Sequence, residues 1–167
     1  QRLSRGLGDV YKRQVYLKAG NGGDGCMSFL RQKYMPNGGP NGGNGGRGGD
    51  VLLKADENVA ELRAFHFKKH WKAKNGEPGR GSDQNGKGGV PCVLKVPLGT
   101  EVREADSGEI ICELLNHEED YLLLEGGKGG RGNATFKSSV NQTPRQFTEG
   151  KAGLEANYVF TVSYTHL

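Results

Sequence analysis

The chain has 167 residues, of which 29 are glycine and only 34% are hydrophobic, so it has room for one domain with a modest apolar core. No apolar run approaches the ~18 residues of a membrane helix, and no secretory signal pattern occurs. The net charge of +4 is unevenly distributed: residues 30–89 and 126–156 are basic, whereas residues 90–125 are strongly acidic. Any nucleic-acid surface is therefore expected to be local.

Alternation of apolar and polar residues predicts several short strands along the chain. Residues 1–14 lack periodicity and are interpreted as a tail. The predicted strands run over Val15–Ala19, Val51–Ala55, Cys92–Leu98, Ile110–Leu115 and Tyr121–Glu125. Gly108 marks a hairpin turn, and Asn58–Phe67 fits either a helix or a strand. Short strands separated by turn signals predict an all-β barrel or sandwich.

Four glycine clusters lie next to these strands, and one of them runs from Gly38 to Gly49. Its glycine pairs repeat every three residues, which is the repeat of a polyproline II helix. Such segments either pack closely against one another or form flexible tracts, and their fixed position beside strands favours packing. Packing assigns a structural role to these glycines: Gly42, Gly43, Gly45, Gly46, Gly48, Gly49, Gly126, Gly127, Gly129 and Gly130.

The sequence does not predict a catalytic or metal site. Gly81–Lys87 matches most of a phosphate-binding loop, but Gly88 replaces the magnesium-binding hydroxyl and a strand, not a helix, follows. His66 and His70 have helical metal spacing without further ligands and are interpreted as solvated. Three cysteines without a close pair indicate a reducing, cytoplasmic environment.

Two groups of residues are candidates for binding RNA. The run from Phe65 to Lys74 mixes aromatic and basic side chains, and it is either a base-stacking surface or a surface strand with buried aromatics. Cations in or beside glycine-rich loops would reach phosphates with little entropy left to lose. These cations are Arg31, Lys33, Arg80, Lys87, Lys137 and Arg145.

Several blocks resemble one protein family. Gly20–Phe29, Lys33–Val51, Lys95–Thr100, Gly126–Asn133 and Phe136–Arg145 resemble, in the same order, the N-terminal domain of the Obg family of ribosome-associated GTPases. The resemblance implies glycine-rich polyproline II helices projecting from an eight-stranded β-barrel. It also implies docking to the large ribosomal subunit and its RNA, with a role in subunit assembly and in growth and stress control.

The resemblance covers about residues 15–156 and implies that GTP and magnesium bind to a separate GTPase domain. This chain alone is therefore expected neither to bind nor to hydrolyse GTP. Residues 1–14 are interpreted as foreign sequence, and residues 157–167 as a truncated linker or GTPase region or a second foreign tail. A structural or protein-interaction module without direct RNA binding is the alternative function.

The sequence departs from the family pattern at several loop positions. The family usually has an acidic residue where Gln32, Asn41 and Asn44 stand, a basic one at Leu30, and commonly a lysine at Asn37. Losing the basic groups would weaken binding to RNA, and losing the acidic ones would offset this.

Overall fold

Nearly every regular element of the computed structural model is a β-strand. The structure describes residues 10–31 and 38–163. Within them, helical structure is confined to the single turn α1 (Ala64–Phe67) and the 3-10 turn at Asn133–Phe136. The strands are β1 (Val10–Lys18), β2 (Val51–Ala55), β3 (His70–Lys72), β4 (Cys92–Val96), β5 (Thr100–Glu104), β6 (Ile110–Leu114), β7 (Asp120–Leu124) and β8 (Glu155–Ser163). This strand content agrees with the predicted all-β class.

The strands form two sheets. One has the order β3-β1-β8-β5-β6, and the other has the order β4-β2-β7. β1 pairs with β8 along its whole length, from Val10 opposite Ser163 to Lys18 opposite Glu155. Eight strands are present, but in residues 10–31 and 38–163 their ladders do not close into one sheet. The closed barrel implied by the resemblance is therefore not found, because no ladder joins the two sheets.

The apolar core draws side chains from both sheets. In β1, β2, β4, β5 and β8, buried residues alternate with more exposed ones, such as Val15 and Leu17 in β1 and Phe160 and Val162 in β8. Phe65 from α1 packs its ring edge-on against Phe160, with the centroids 5.1 Å apart. This period-two burial explains why β1, β2 and β4 can be predicted from the sequence pattern.

The predicted strands correspond to β1, β2, β4, β6 and β7, with ends that differ by up to five residues. The predicted hairpin is formed by β5 and β6, and Gly108 has the left-handed φ of +72° that its turn requires. β1 begins at Val10 and β8 extends to Ser163, so both strands include residues that the sequence pattern assigns to tails.

The glycine-rich segments lie side by side and form a bundle. We define the glycine bundle as residues 20–26, 38–50, 74–80, 84–90, 126–132 and 148–153. Segment 38–50 contacts several of the others through backbone hydrogen bonds spaced three residues apart. On one side, the N–H groups of Gly20, Gly23 and Cys26 donate to the carbonyls of Gly49, Gly46 and Gly43, at N···O distances of 2.8–3.0 Å.

The N–H groups of segment 38–50 donate outward on its other sides. Those of Gly43, Gly46 and Gly49 donate to the carbonyls of Arg80, Glu77 and Lys74, and those of Gly45 and Gly48 donate to Gly130 and Gly127. Every third residue thus repeats the same contact. The bundle is held mainly by backbone groups and needs little apolar side-chain area, which accounts for the low hydrophobic content.

The absence of side chains is what allows the segments to approach so closely. A Cβ at Gly42, Gly45 or Gly48 would overlap carbonyl groups of residues 20–26, and one at Gly43, Gly46 or Gly49 would overlap those of residues 84–90. The same holds in the fourth cluster, for Gly126 and Gly129 against segment 38–50 and for Gly127 and Gly130 against residues 148–151.

Candidate nucleic-acid interface

Five of the six candidate cations lie on the exposed surface of the described residues, and Lys33 lies outside those residues. Arg31 and Arg145, far apart in the chain, line one cavity at the end of the bundle away from the sheets. The Nζ atom of Lys137 lies near Gly39, on the same end.

The remaining two candidates lie along the neighbouring segments. The carbonyl of Arg80 accepts from the N–H of Gly43 at 2.9 Å, which places Arg80 beside the cavity-lining turn at residues 81–83. Lys87 lies further along the bundle, where its carbonyl accepts from the N–H of Glu77. The fold therefore brings four candidates to one end and leaves Lys87 apart from them.

The cavity between Arg31 and Arg145 has a volume of about 480 Å³. Residues 27–30, Asn41, Gly81 and Ser82 form the rest of its lining, which includes no acidic side chain among the described residues. The Arg145 guanidinium carbon lies 5.6 Å from the centroid of the Phe29 ring, a cation–π arrangement. The cavity thus combines positive charge with a flat aromatic surface, and we call it the tip cavity.

A buried asparagine fixes the walls of the tip cavity. The Oδ1 of Asn133 accepts from the N–H of Gly42 at 2.8 Å and from that of Ser28 at 3.3 Å. Its Nδ2 donates to the carbonyls of Ser28 at 2.9 Å and Pro144 at 3.1 Å. One fully satisfied amide therefore holds together the three segments that carry Phe29, Asn41 and Arg145.

A second asparagine has a side-chain oxygen without a partner. Asn41 is only 7% exposed, and its backbone bonds to Ser28 and Asp83 at 2.9 and 2.8 Å. Its Oδ1 is buried and accepts no hydrogen bond from the described residues. One repeat along the chain, the Oδ1 of Asn44 accepts from the N–H of Gly132 at 2.8 Å. Asn41 therefore carries an acceptor at the tip cavity that the bundle does not use.

The turn beside the cavity is strained. Ser82 and Asp83 both have left-handed backbones, with φ of 61° and 56°. Such conformations cost of order 1–3 kcal/mol each in non-glycine residues and are concentrated at functional sites.

The basic-aromatic run from Phe65 to Lys74 is partly buried and partly exposed. Phe65 is buried in the core, and the indole N–H of Trp71 donates to the Lys68 carbonyl while the Lys68 ammonium lies 4.2 Å from its ring. Phe67 is 77% exposed. The run is therefore mostly structural and leaves one aromatic ring open to solvent.

The other motifs do not form a site. The stretch Gly81–Lys87 is followed by strand β4 instead of a helix. Within residues 10–31 and 38–163, no group of three or more His, Cys, Asp or Glu side chains could hold a metal ion. The three cysteines are unpaired thiols. Across the same residues, no helix is long and apolar enough to cross a membrane.

Comparison with known proteins assigns the chain to a family. The family model described as GTP1/OBG matches residues 10–164. The chain belongs to the GTP1/OBG family. The GTPase Obg of Sulfurihydrogenibium sp. (strain YO3AOP1) is 49% identical over 146 residues, covering 87% of this chain and 42% of that protein. The GTPase Obg of Chlorobium phaeobacteroides (strain BS1) is 51% identical over 145 residues, covering 87% and 44%.

A third relative, the GTPase Obg of Aquifex aeolicus (strain VF5), is 47% identical over 146 residues, covering 87% of this chain and 43% of that protein. This GTP1/OBG chain thus spans somewhat over two-fifths of the length of these relatives. The resemblance inferred from the sequence is confirmed at the level of the family.

The sequence of this GTP1/OBG domain does not indicate that Phe29, Asn41 and Asn133 belong to one site. A signal for Asn133 is nonetheless visible in the sequence. It follows Gly127 and Gly130 at the next three-residue step, so an amide stands where the repeat would place glycine. For Phe29, nothing in the local pattern distinguishes it from a core residue.

Proposed function

We propose that this chain is the RNA-docking domain of a GTPase that acts on the large ribosomal subunit. The observation that supports it most is the tip cavity, where Arg31 and Arg145 lie together without an ion pair to any described acidic residue. Unpaired guanidinium groups on a rigid support bind phosphate oxygens with little further loss of entropy.

The distribution of charge supports docking by this end of the molecule. The acidic stretch at residues 90–125 forms β4–β7 in the sheets, whereas four of the candidate cations, Arg31, Arg80, Lys137 and Arg145, lie at the opposite end of the bundle. A polarised field of this kind orients a protein so that its basic end approaches RNA first.

Several finer features are part of the same proposal. The three-residue spacing of the bundle contacts is that of polyproline II helices, the conformation we propose for its segments. The proposed docking unit is residues 15–156. The complete protein would bind GTP and magnesium in another domain and act in the cytoplasm, in assembly of the large subunit and in growth and stress control.

Sedimentation with purified large ribosomal subunits tests the proposal. Lys33→Glu and Arg145→Glu should each weaken binding and lower the log–log salt slope by about one for each phosphate that is no longer neutralised. Lys128→Glu is the matched control, because Lys128 is an exposed cation at the sheet end of the same bundle. Equal pelleting of all four proteins across a salt series would refute the assigned sites.

A protein-docking function is the second candidate, and an apolar sheet face favours it. Leu52 lies opposite Val93 on one side and Leu122 on the other, and the latter two are 47% and 43% exposed. Binding of this domain to an isolated GTPase domain, without binding to ribosomes, would support this candidate over RNA docking.

A further inference from the structure

The tip cavity offers more than positive charge. Its Asn41 Oδ1 is a buried acceptor without a partner among the described residues. A buried polar atom left unpaired destabilises the protein, so a ligand that donates a hydrogen bond to it recovers that loss. Phosphate oxygens carry no donor at neutral pH, and the acceptor therefore selects for a different part of an RNA ligand.

The Phe29–Arg145 pair supplies a surface for that other part. Unstacked bases of single-stranded RNA bind against aromatic rings and guanidinium planes, and they use their hydrogen-bonding edges on nearby polar groups. Phe29 and Arg145 lie with ring and guanidinium 5.6 Å apart, and Asn41 lines the same cavity. The N–H groups that every base carries would meet the Asn41 oxygen.

The size and rigidity of the cavity fit such a ligand. Its volume of about 480 Å³ falls within the range of roughly 300–1,000 Å³ found for small-ligand pockets. The four hydrogen bonds of Asn133 hold the Ser28, Gly42 and Pro144 backbones in place. The cavity is therefore preformed, and binding needs little ordering of its walls.

We propose that the tip cavity receives one unpaired nucleotide of an RNA strand, with its base against the Phe29–Arg145 pair and an N–H of the base donating to Asn41 Oδ1. Arg31 lies at the same cavity and would pair with the adjoining phosphate. This inference rests on the proposed RNA docking and adds that docking includes capture of a base as well as contact with phosphates.

The test compares a five-nucleotide single-stranded RNA with an abasic ribose-phosphate pentamer of the same charge, using fluorescence anisotropy. The wild-type domain should bind the intact RNA roughly five- to a hundred-fold more tightly, as stacking of one base predicts. Phe29→Leu should bind both pentamers almost equally, since it keeps apolar bulk but removes the ring.

Phe147→Leu is the matched control, because Phe147 is an exposed phenylalanine two residues beyond Arg145 that does not line the cavity. It should retain the wild-type preference for bases. Thermal melting of each variant shows whether it is folded. The comparison of the two pentamers on the wild-type domain tests base capture even if a variant does not fold.

Equal wild-type affinity for intact and abasic pentamers would overturn base capture while leaving phosphate docking in place. Retention of the preference by folded Phe29→Leu would also overturn it, by placing the base elsewhere. Failure to bind either pentamer would overturn it too, and ribosome sedimentation would then report separately on the proposed function.

Discussion

Replacing Gly45 by alanine tests the packing of the glycine bundle most directly. A Cβ at Gly45 would overlap the backbone carbonyl of Gly23, which cannot swing away like a side chain. That carbonyl accepts from the N–H of Gly130 at 2.7 Å, and the N–H of Gly45 donates to the carbonyl of Gly130 at 2.8 Å. Relieving the overlap therefore displaces hydrogen-bonded backbone on two segments.

The expected loss of stability follows from three contributions. Overpacking costs about 1–3 kcal/mol, and weakening two backbone hydrogen bonds costs about 1 kcal/mol each. The lower entropy of unfolded alanine offsets about 0.4–1 kcal/mol. Gly45→Ala should thus lower the free energy of unfolding by about 2–4 kcal/mol, which lowers the Tm by roughly 5–15 °C for a domain of this size. Valine at the same position should cost more.

Gly88→Ala is the matched control within the same bundle. A Cβ there would meet only the Arg47 carbonyl, at an ordinary 3.6 Å, and the backbone of Gly88 is not left-handed. This variant should be as stable as the wild type or slightly more so. Urea titration and thermal melts followed by circular dichroism measure both changes. Equal stability of Gly45→Ala and Gly88→Ala would refute close packing of the bundle.

Three further predictions concern the core, a half-buried thiol and a loop carboxylate. Phe65→Ala should lower the free energy of unfolding by about 3–5 kcal/mol because it leaves a cavity where the buried ring packs against Phe160. Phe67→Ala, at an exposed ring, should change the free energy of unfolding by less than about 0.5 kcal/mol. Denaturant titration of the two variants tests this difference. Burial, with a smaller effect of Glu119, raises the pKa of the Cys112 thiol to about 11. Iodoacetamide should therefore alkylate Cys112 at pH 8 far more slowly than an unburied thiol, because the thiolate is the reactive form. Peptide mass spectrometry measures this rate. The backbone N–H of Asn58 lowers the pKa of Asp56 below 3.8, so the stabilisation from this carboxylate is complete above that value and is lost as the pH falls through the lower folded pKa. Asp56→Asn should therefore flatten the loss of stability as the pH falls below 3.8, measured by denaturant titration across a pH series, and an unchanged acid limb would contradict the assignment.

The positions of strands such as β2 and β4 are predictable because their burial follows a period of two. β2 occupies the residues that the alternation indicates, and the glycine at the β5–β6 turn identifies a hairpin. The pairing of β1 with β8 is not predictable, since nothing local in Val10–Gln14 shows that a strand from the other end of the chain lies beside it. A closed barrel is not found among the described residues, and the number of strands alone does not determine which sheet edges meet.

The glycine bundle is predictable in kind but not in arrangement. A three-residue glycine period indicates that bare backbone surfaces pack together, and they do so here. Which segments become neighbours is not encoded locally, because glycine surfaces are alike and have no side chains to select a partner. The convergence of Arg31 with Arg145 depends on that arrangement. The cations are therefore identifiable individually from the sequence, and the tip cavity is not.

The non-glycine residues of the central segment explain how a scaffold of bare backbone comes to contain a site. Asn41, Asn44, Arg47 and Asp50 occupy the same position of the three-residue repeat. The side-chain oxygens of Asn44 and Asp50 accept from the N–H groups of Gly132 and Gly126, at 2.8 and 2.7 Å, and tie the fourth glycine cluster to the segment. Near Asn41, the side-chain amide of Asn133 bonds to the backbone groups instead: its Oδ1 accepts from the N–H of Gly42, and its Nδ2 donates to the carbonyl of Ser28. The acceptor of Asn41 is therefore left without a partner at the end of the repeat, in a residue that lines the tip cavity.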